Sequence, residues 1–362
     1  MKYNKKIIVC SIFIIISVTL LIVISSKSIK TFNYNGSIIA LTVDGNSATS
    51  FPASGKYNVT VNCENGKGVW NPKTWKLEIT KIKGTVTCDI SFNSNASNLS
   101  DVVDSKGAST THGIRYQGKN PDNYVWFNDE LWRIIGNVPV CLTSGCASTE
   151  NRVKLIRNDI IGSFLYDKNM FNTTNQFTWL NTNIQNLLNK CYLGKTSSCD
   201  DYCYAGTDTI GMCNYSLIGI DEDSNYGKMV ENVYYYIGFG DKAFHTADDQ
   251  YDLEISRYSS SLSKIGLMYA SDFGYAVEGY SGIIGYGGTM EQYTQKNWLF
   301  MCENEWLIGA YSDTILLYIS NGCLSSNVAN VSYATRPVLY LKPDVYVVSG
   351  TGTQVDPYRI GM

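Results

Sequence analysis

Residues Asn123–Gly136 read NYVWFNDELWRIIG. Two apolar runs flank Asn128-Asp129-Glu130, three residues suited to a tight turn, so the stretch predicts a β-hairpin. Working outward, VKLIRND (Val153–Asp159) continues as a strand. FTWLNTNIQNLLNKCYL (Phe177–Leu193) places Leu180, Ile184, Leu187, Leu188 and Leu193 at helical spacing and predicts the clearest soluble helix. IGLMYASDFGYA (Ile265–Ala276), WLFMCENEWLIGAY (Trp298–Tyr311), TILLYIS (Thr314–Ser320) and RPVLYLKPDVYVV (Arg336–Val348) add short strands. Glycines and tyrosines between them suggest long ordered loops held by disulfides. Residues 111–362 therefore read as one loop-rich, disulfide-stapled α+β domain.

Upstream, SIIALTV, YNVTVNC, WKLEIT and VTCDISF alternate apolar and polar residues between turn-forming stretches. Residues 37–92 predict a small all-β sandwich. Its order Cys63, Trp70, Trp75, Cys88 is like an immunoglobulin core, where tryptophan packs on a disulfide between two sheets. Residues 93–110, NSNASNLSDVVDSKGAST, are rich in Ser, Asn and Asp and read as a linker.

The N-terminus begins with a basic segment, residues 1–6, followed by an uncharged apolar run, Ile7–Ser26. About 20 helical residues cross a bilayer core. The run is longer than a signal peptide needs and its best cleavage position is poor, so it predicts an uncleaved signal-anchor helix at 7–26; secretion after cleavage is the alternative. The basic start favours a cytoplasmic N-terminus and an extracellular bulk.

The chain has 362 residues, of which 44% are hydrophobic and 17% charged, with a net charge of -3. Five of the 29 basic residues (Lys2, Lys5, Lys6, Lys27 and Lys30) lie in the first thirty positions, so the rest of the chain is clearly acidic. That excludes an extended nucleic-acid surface. Only two histidines occur, His112 and His245, which excludes histidine-rich metal sites and argues against a serine or cysteine triad.

Eleven cysteines are present. Cys10 lies in the apolar run. The other ten are exported and even in number, the pattern of disulfides in an oxidising compartment. Cys63 is expected to pair with Cys88, Cys141 with Cys146 in CLTSGC, and Cys302 with Cys323. Cys191, Cys199, Cys203 and Cys213 form a cluster of two bridges with open connectivity. Zinc is the rival for that cluster, but its spacing lacks paired short knuckles.

The stretch GIRYQGKNPDNYVWFNDELWRIIG (Gly113–Gly136) resembles the opening of an uncharacterised domain found in exported proteins of Gram-positive, AT-rich bacteria. IGLMYASDFGYA resembles its middle motif, and RPVLYLKPDVYVVSGTGTQVDPYRI (Arg336–Ile360) its closing Arg-Pro, Gly-Thr-Gly and Asp-Pro-Tyr motif. The N-terminal strands are similar to a small sandwich that often precedes that domain. The resemblance implies architecture and location rather than chemistry. At the level of fold it is similar to C-type-lectin-like and formylglycine-generating-enzyme-like domains.

Tyr280, Tyr286, Tyr293, Trp298, Trp306 and Tyr311 crowd one loop-rich region. Aromatic faces interspersed with Asn and Asp suit a glycan or peptide, although a disulfide-rich core uses the same residues. Asp221, Asp223 and Asn225 could offer calcium alternating oxygens, but Tyr226 and Asn232 stand where an EF-hand needs Gly and Glu, so a solvated turn is the plainer reading. Asp248, Asp249 and Asp252 form a second acidic loop. His112 is a possible base with Glu303 or Glu305 as partner. Cys302 and Cys323 could be redox-active by the enzyme analogy. No phosphate loop, dinucleotide fingerprint, Gly-x-Ser-x-Gly or zinc-protease motif occurs. Together these readings predict a membrane-anchored bacterial surface protein that recognises an extracellular glycan, cell-wall polymer or host protein. An exported enzyme on the formylglycine-generating scaffold and a structural envelope protein are the alternatives.

Overall fold

A computed structural model describes residues 30–169, 178–206, 209–211, 213–240, 245–255, 259–278 and 296–362. The apolar run 7–26 lies outside these residues. No helix among the described residues is long and apolar enough to cross a membrane. The chain divides after Asn95 into two compact units.

The first unit is built on a sheet in which Ser37–Val43 lies parallel to Thr87–Asn93, which in turn pairs antiparallel with Asn58–Glu64. Alternation makes each strand present one apolar face. Ile39, Cys88 and Cys63 form one cross-strand row, Leu41, Ile90 and Val61 the next, and Val43, Phe92 and Val59 the third. Two-residue turns at Asn35-Gly36 and Asp44-Gly45 connect Ser37–Val43 to its neighbours, with positive φ at all four positions. That is the backbone a tight hairpin requires, and the reason for Asn-Gly and Asp-Gly there.

A separate hairpin, Lys67–Asn71 with Lys76–Thr80, supplies Trp70 to the core. The Trp70 ring lies 4.8 Å from Phe92, 5.0 Å from Phe51 and 5.4 Å from Trp75. The all-β reading of this unit holds, but the disulfide corrects its detail. Cys63 and Cys88 are directly opposed on neighbouring strands of one sheet, with Cα atoms 4.1 Å apart, rather than linking two sheets. Gly68 explains how the hairpin comes so near this bridge, because a Cβ there would collide with Cys63 Sγ.

The second unit is mostly β-sheet with a few short helices. The hairpin at its centre forms as the sequence predicts: Tyr124–Phe127 pairs with Glu130–Cys141 across Asn128 and Asp129, both at positive φ. Glu130–Cys141 then runs on beyond the hairpin and pairs along most of its length with Thr149–Arg157. This large sheet also takes Val338–Tyr340 beside Thr149–Arg157, and Tyr358–Gly361 in parallel beside Tyr124–Phe127. A second, five-stranded sheet contains Gly162–Leu165, Ser332–Thr335, Glu305–Ser312, Ile315–Ser320 and Cys323–Val328.

Two expectations about helices change. The helix in Phe177–Leu193 is shorter than the apolar spacing suggests: an α-turn Asn183–Asn186 continues as π-helix Leu187–Tyr192. Thr182 caps it by accepting the Gln185 N–H, so Leu180 lies ahead of the cap and is exposed, whereas Ile184, Leu187, Leu188 and Leu193 are buried. The segment read as a linker, 93–110, is instead largely part of the second unit. Leu99–Lys106 is a helix that buries Leu99 and Val103 completely, four residues apart on one face, and Ala108–Thr110 is a strand. Two apolar side chains in a polar stretch suffice because the sheet supplies the rest of the core.

Four disulfides occur among the described residues, and they resolve the cluster as Cys191–Cys199 and Cys203–Cys213. Cys63–Cys88 and Cys141–Cys146 form as expected. Cys302–Cys323 does not: Cys302 is exposed and holds no disulfide. Cys302 precedes Glu305–Ser312 and Cys323 opens Cys323–Val328, with Ile315–Ser320 between those strands. With that strand intervening, the chain at Cys302 would have to fold back across it to come within the Cα separation of about 7 Å that a disulfide spans.

Leu99→Ala is expected to cost the second unit about 2–5 kcal/mol in denaturant unfolding. A change within ±0.5 kcal/mol would fit a linker and not a docked helix. Peptide mapping of the oxidised chain after alkylation is expected to recover Cys191–Cys199 and Cys203–Cys213 peptides and an alkylated Cys302. A Cys302–Cys323 peptide would contradict the arrangement.

Candidate functional site

One row of residues crosses the large sheet: Arg115, Gly136, Lys154 and Tyr340 lie opposite one another on four successive strands. Residues paired in this way project from the same face. Gly136 sits between the two cations, and a side chain there would collide with the Ile114 carbonyl and press on Arg115 Cδ. The glycine therefore lets Arg115 and Lys154 converge.

They meet at Asp272, on the short helix Ala270–Tyr275. Arg115 Nη1 donates to Asp272 Oδ1 and Lys154 Nζ to Oδ2, each at 2.5 Å. The backbone N–H of Tyr269 also donates to Oδ2, at 2.9 Å. All three charged side chains are buried. Burial pushes the Asp272 carboxyl up, but Lys154 and Arg115 outweigh it and hold the group below its ordinary range. Burial lowers Lys154 despite the attraction of Asp272. The rings of Tyr269 and Tyr340 cover the ammonium at 4.6 and 5.2 Å, and Tyr275 lies 4.6 Å from the guanidinium.

A second buried carboxylate anchors the same helix. Glu254, on Ala247–Ile255, accepts the N–H groups of Ala270 and Ser271 at 2.7 and 3.1 Å. Complete burial raises its pKa to about 7 against those hydrogen bonds.

Beside the row, the sheet forks. On the edge away from Thr149–Arg157, Glu130–Cys141 pairs with Gly113–Arg115 at Gly136–Asn137 and with Val233–Ile237 at Cys141. Among the described residues, Val138, Pro139 and Val140 have no ladder partner on that edge. Pro139 has no N–H to offer one. The fork borders a recess lined by Arg115, Lys154 and Asp272 together with Tyr236, Tyr251 and Tyr340. Arg115 Nε and the Tyr236 hydroxyl are buried with no hydrogen-bond partner.

His112 stands nearby, stacked on Tyr251 at 3.9 Å between ring centroids. Its Nε2 is 3.9 Å from Asp248 and 3.8 Å from Asp252. Burial lowers its pKa, against the pull of both aspartates. Neither Glu303 nor Glu305 is its partner, as the sequence had suggested. Glu305 is buried and bridged by Arg336, whose Nε and Nη2 donate to its two oxygens at 2.6 and 2.7 Å.

The aromatic residues singled out in the sequence do not form one surface. Trp306 is fully buried, donates to the Phe164 carbonyl and packs on Tyr166 and Tyr333. Trp298 is buried, donates to the Tyr116 carbonyl and lies 4.4 Å from the Arg133 guanidinium. Their rings are filling for the core, which is why they offer no face to a ligand. Tyr311 is exposed on Glu305–Ser312. Tyr280, Tyr286 and Tyr293 lie outside the described residues.

In the acidic loop, Asp221 Oδ1 accepts the Asp223 N–H, and Ser224 caps the helix Asn225–Met229 that Asn225 begins. Among the described residues, no group of three or more His, Cys, Asp or Glu side chains has an arrangement that could hold a metal ion. Asp248 and Asp252 lie on a helix rather than a loop, and Asp249 accepts from Thr246 at its start.

Sequence reasoning missed Arg115, Lys154, Asp272 and Glu254. Their signal was a charge inside an otherwise apolar stretch: Arg115 in GIRY, Lys154 in VKLI and Asp272 in YASDFGYA. The three motifs of the sequence resemblance supply Arg115, Asp272 and Tyr340 to this single cluster. Comparison with protein-family models, with curated proteins and with solved structures gave no match.

Because Glu254 titrates higher in the fold than in the unfolded chain, its contribution to stability is present at low pH. It is lost as pH rises from about 4.5 through about 7. Chemical unfolding across that window is expected to show a decline on the order of 3 kcal/mol from this group, absent in Glu254→Gln. A parallel decline in the variant would remove Glu254 as the cause.

Proposed function

We propose that this chain is a bacterial cell-surface protein, held in the membrane by residues 7–26, whose second unit recognises an extracellular ligand. A glycan, a cell-wall polymer and a host protein are the ligand classes that suit it. The observation that carries the reading is the tyrosine-lined recess at the sheet fork. It has the apolar walls and the few convergent polar groups of a binding pocket. The four disulfides support an oxidising, extracellular setting. The apolar run supports anchorage.

The recess replaces the Trp298 and Trp306 surface as the place of contact. Calcium has a weak case at Asp221 and Asp223, whose loop is already ordered by its own hydrogen bonds. The enzyme alternative would want a reactive thiol pair or two close carboxylates in the pocket. Cys302 is not among the lining residues, and the one carboxylate there, Asp272, is committed to two cations.

The test is retention of the oxidised full chain, in detergent, on immobilised peptidoglycan, mucin and glycans. Saturable retention on at least one is expected, and Tyr251→Ala is expected to weaken it at least several-fold. Equal retention of the variant would move the contact away from the recess. Retention on none of these surfaces would sink the recognition reading.

A further inference from the structure

Resting on the recognition reading, the geometry points to the chemical group the recess takes. We propose that it binds a carboxylate, with Arg115 Nε and the Tyr236 hydroxyl as the donors. Two donors without acceptors are the first reason. Arg115 is 2% exposed and Tyr236 7%, both line the recess, and neither of these atoms has a hydrogen-bond partner. Leaving a buried donor unmet costs about 1–3 kcal/mol, a debt that an incoming acceptor would remove.

The acceptors nearby are already engaged. Asp272 Oδ1 takes Arg115 Nη1, and Oδ2 takes Lys154 Nζ and the Tyr269 N–H. The Tyr236 carbonyl takes the Tyr269 hydroxyl at 2.8 Å. A ligand ammonium can only donate and would bring a further positive charge, and a hydroxyl offers a single neutral oxygen to the two donors. A carboxylate only accepts.

Charge gives the second reason. Two buried cations, Arg115 and Lys154, share the single carboxylate of Asp272. A guanidinium stays protonated at any accessible pH, and buried charge needs compensation. One further negative charge would balance the cluster. Glu254 acts on Lys154 as a neighbouring charge, but its oxygens are bonded to the N-terminal N–H groups of the Asp272 helix, burial raises its pKa to about 7, and it is not among the lining residues.

The rest of the ligand would lie between Tyr236 and Tyr251, whose rings suit a short aliphatic chain or a sugar face. Two sources share this chemistry: the carboxyl terminus of a peptide and the carboxylate of an acidic sugar.

The experiment is calorimetric titration of the oxidised full chain in detergent. The ligands are N-acetyl-alanine and its amide, and galacturonic acid and its methyl ester. At least one acid is expected to bind saturably at millimolar concentration or below, with its neutral counterpart bound at least tenfold more weakly. Binding of N-acetyl-alanine alone identifies a peptide end, binding of galacturonic acid alone an acidic polysaccharide, and binding of both the carboxylate itself; each supports the assignment.

Tyr236→Phe keeps the ring and removes only the hydroxyl, and is expected to weaken the acid by roughly tenfold or more. Arg115→Gln would also strand Asp272, so Tyr236→Phe is the deciding variant. Neutral counterparts that bind as well as the acids, no saturable acid binding, or an unchanged Tyr236→Phe would overturn the assignment. A chain retained on a polymer while none of the acids binds would leave recognition standing and this inference refuted. Acid binding without polymer retention would leave the opposite result.

Discussion

The second unit depends on two cations held against one carboxylate in its interior. Arg115, Lys154 and Asp272 come from widely separated parts of the chain, and the glycine at 136 is what allows the first two to reach the third. Helices here are short, and a six-residue helix such as Ala270–Tyr275 has little stability of its own. The Asp272 side chain ties it to the sheet through Arg115 and Lys154 and caps it by accepting the Tyr269 N–H, and Glu254 ties its first turn to the neighbouring helix. Removing one partner of such a buried set typically costs about 3–5 kcal/mol, because a charge is left alone. These contacts therefore fix which way the short helices sit as well as whether they form.

What could be read from the sequence was what neighbouring residues decide. The hairpin at Tyr124–Cys141 was legible because turn chemistry and apolar runs lie side by side. The strands of the first unit were legible from period-two alternation. The bridges Cys63–Cys88 and Cys141–Cys146 followed from isolation and proximity in sequence. Contacts made at a distance were not legible. Leu99 and Val103 look like stray apolar residues until the sheet that buries them is known. Trp298 and Trp306 look like surface rings until Tyr116 and Phe164 appear beside their indole nitrogens. Charges within apolar stretches were the one local clue to the buried cluster, and hydrophobic patterning passes over them because it treats such residues as exceptions.

The disulfides and the buried charges divide the work of the second unit. Cys191–Cys199 closes a short loop at the end of the π-helical segment, and Cys203–Cys213 closes another just after it. The charges act where the large sheet is widest and then interrupted. Pro139 and the competing strands at either side of it leave an opening in what would otherwise be a continuous ladder, and that opening lies beside Arg115, Lys154 and Asp272. Side chains that line such an opening from paired strands are held more precisely than side chains on loops.

The parallel pairing of Tyr358–Gly361 with Tyr124–Phe127 has a kinetic consequence. The hairpin must wait for a strand far downstream in the chain before its outer edge is covered. Loop-closure entropy makes such distant pairing slow. Until then the chain presents an unfinished sheet edge, the kind of surface that templates strand addition from other chains. Folding of this chain therefore favours something that shields that edge, whether a folding factor or a rapid burial of the hairpin by its own neighbouring strands.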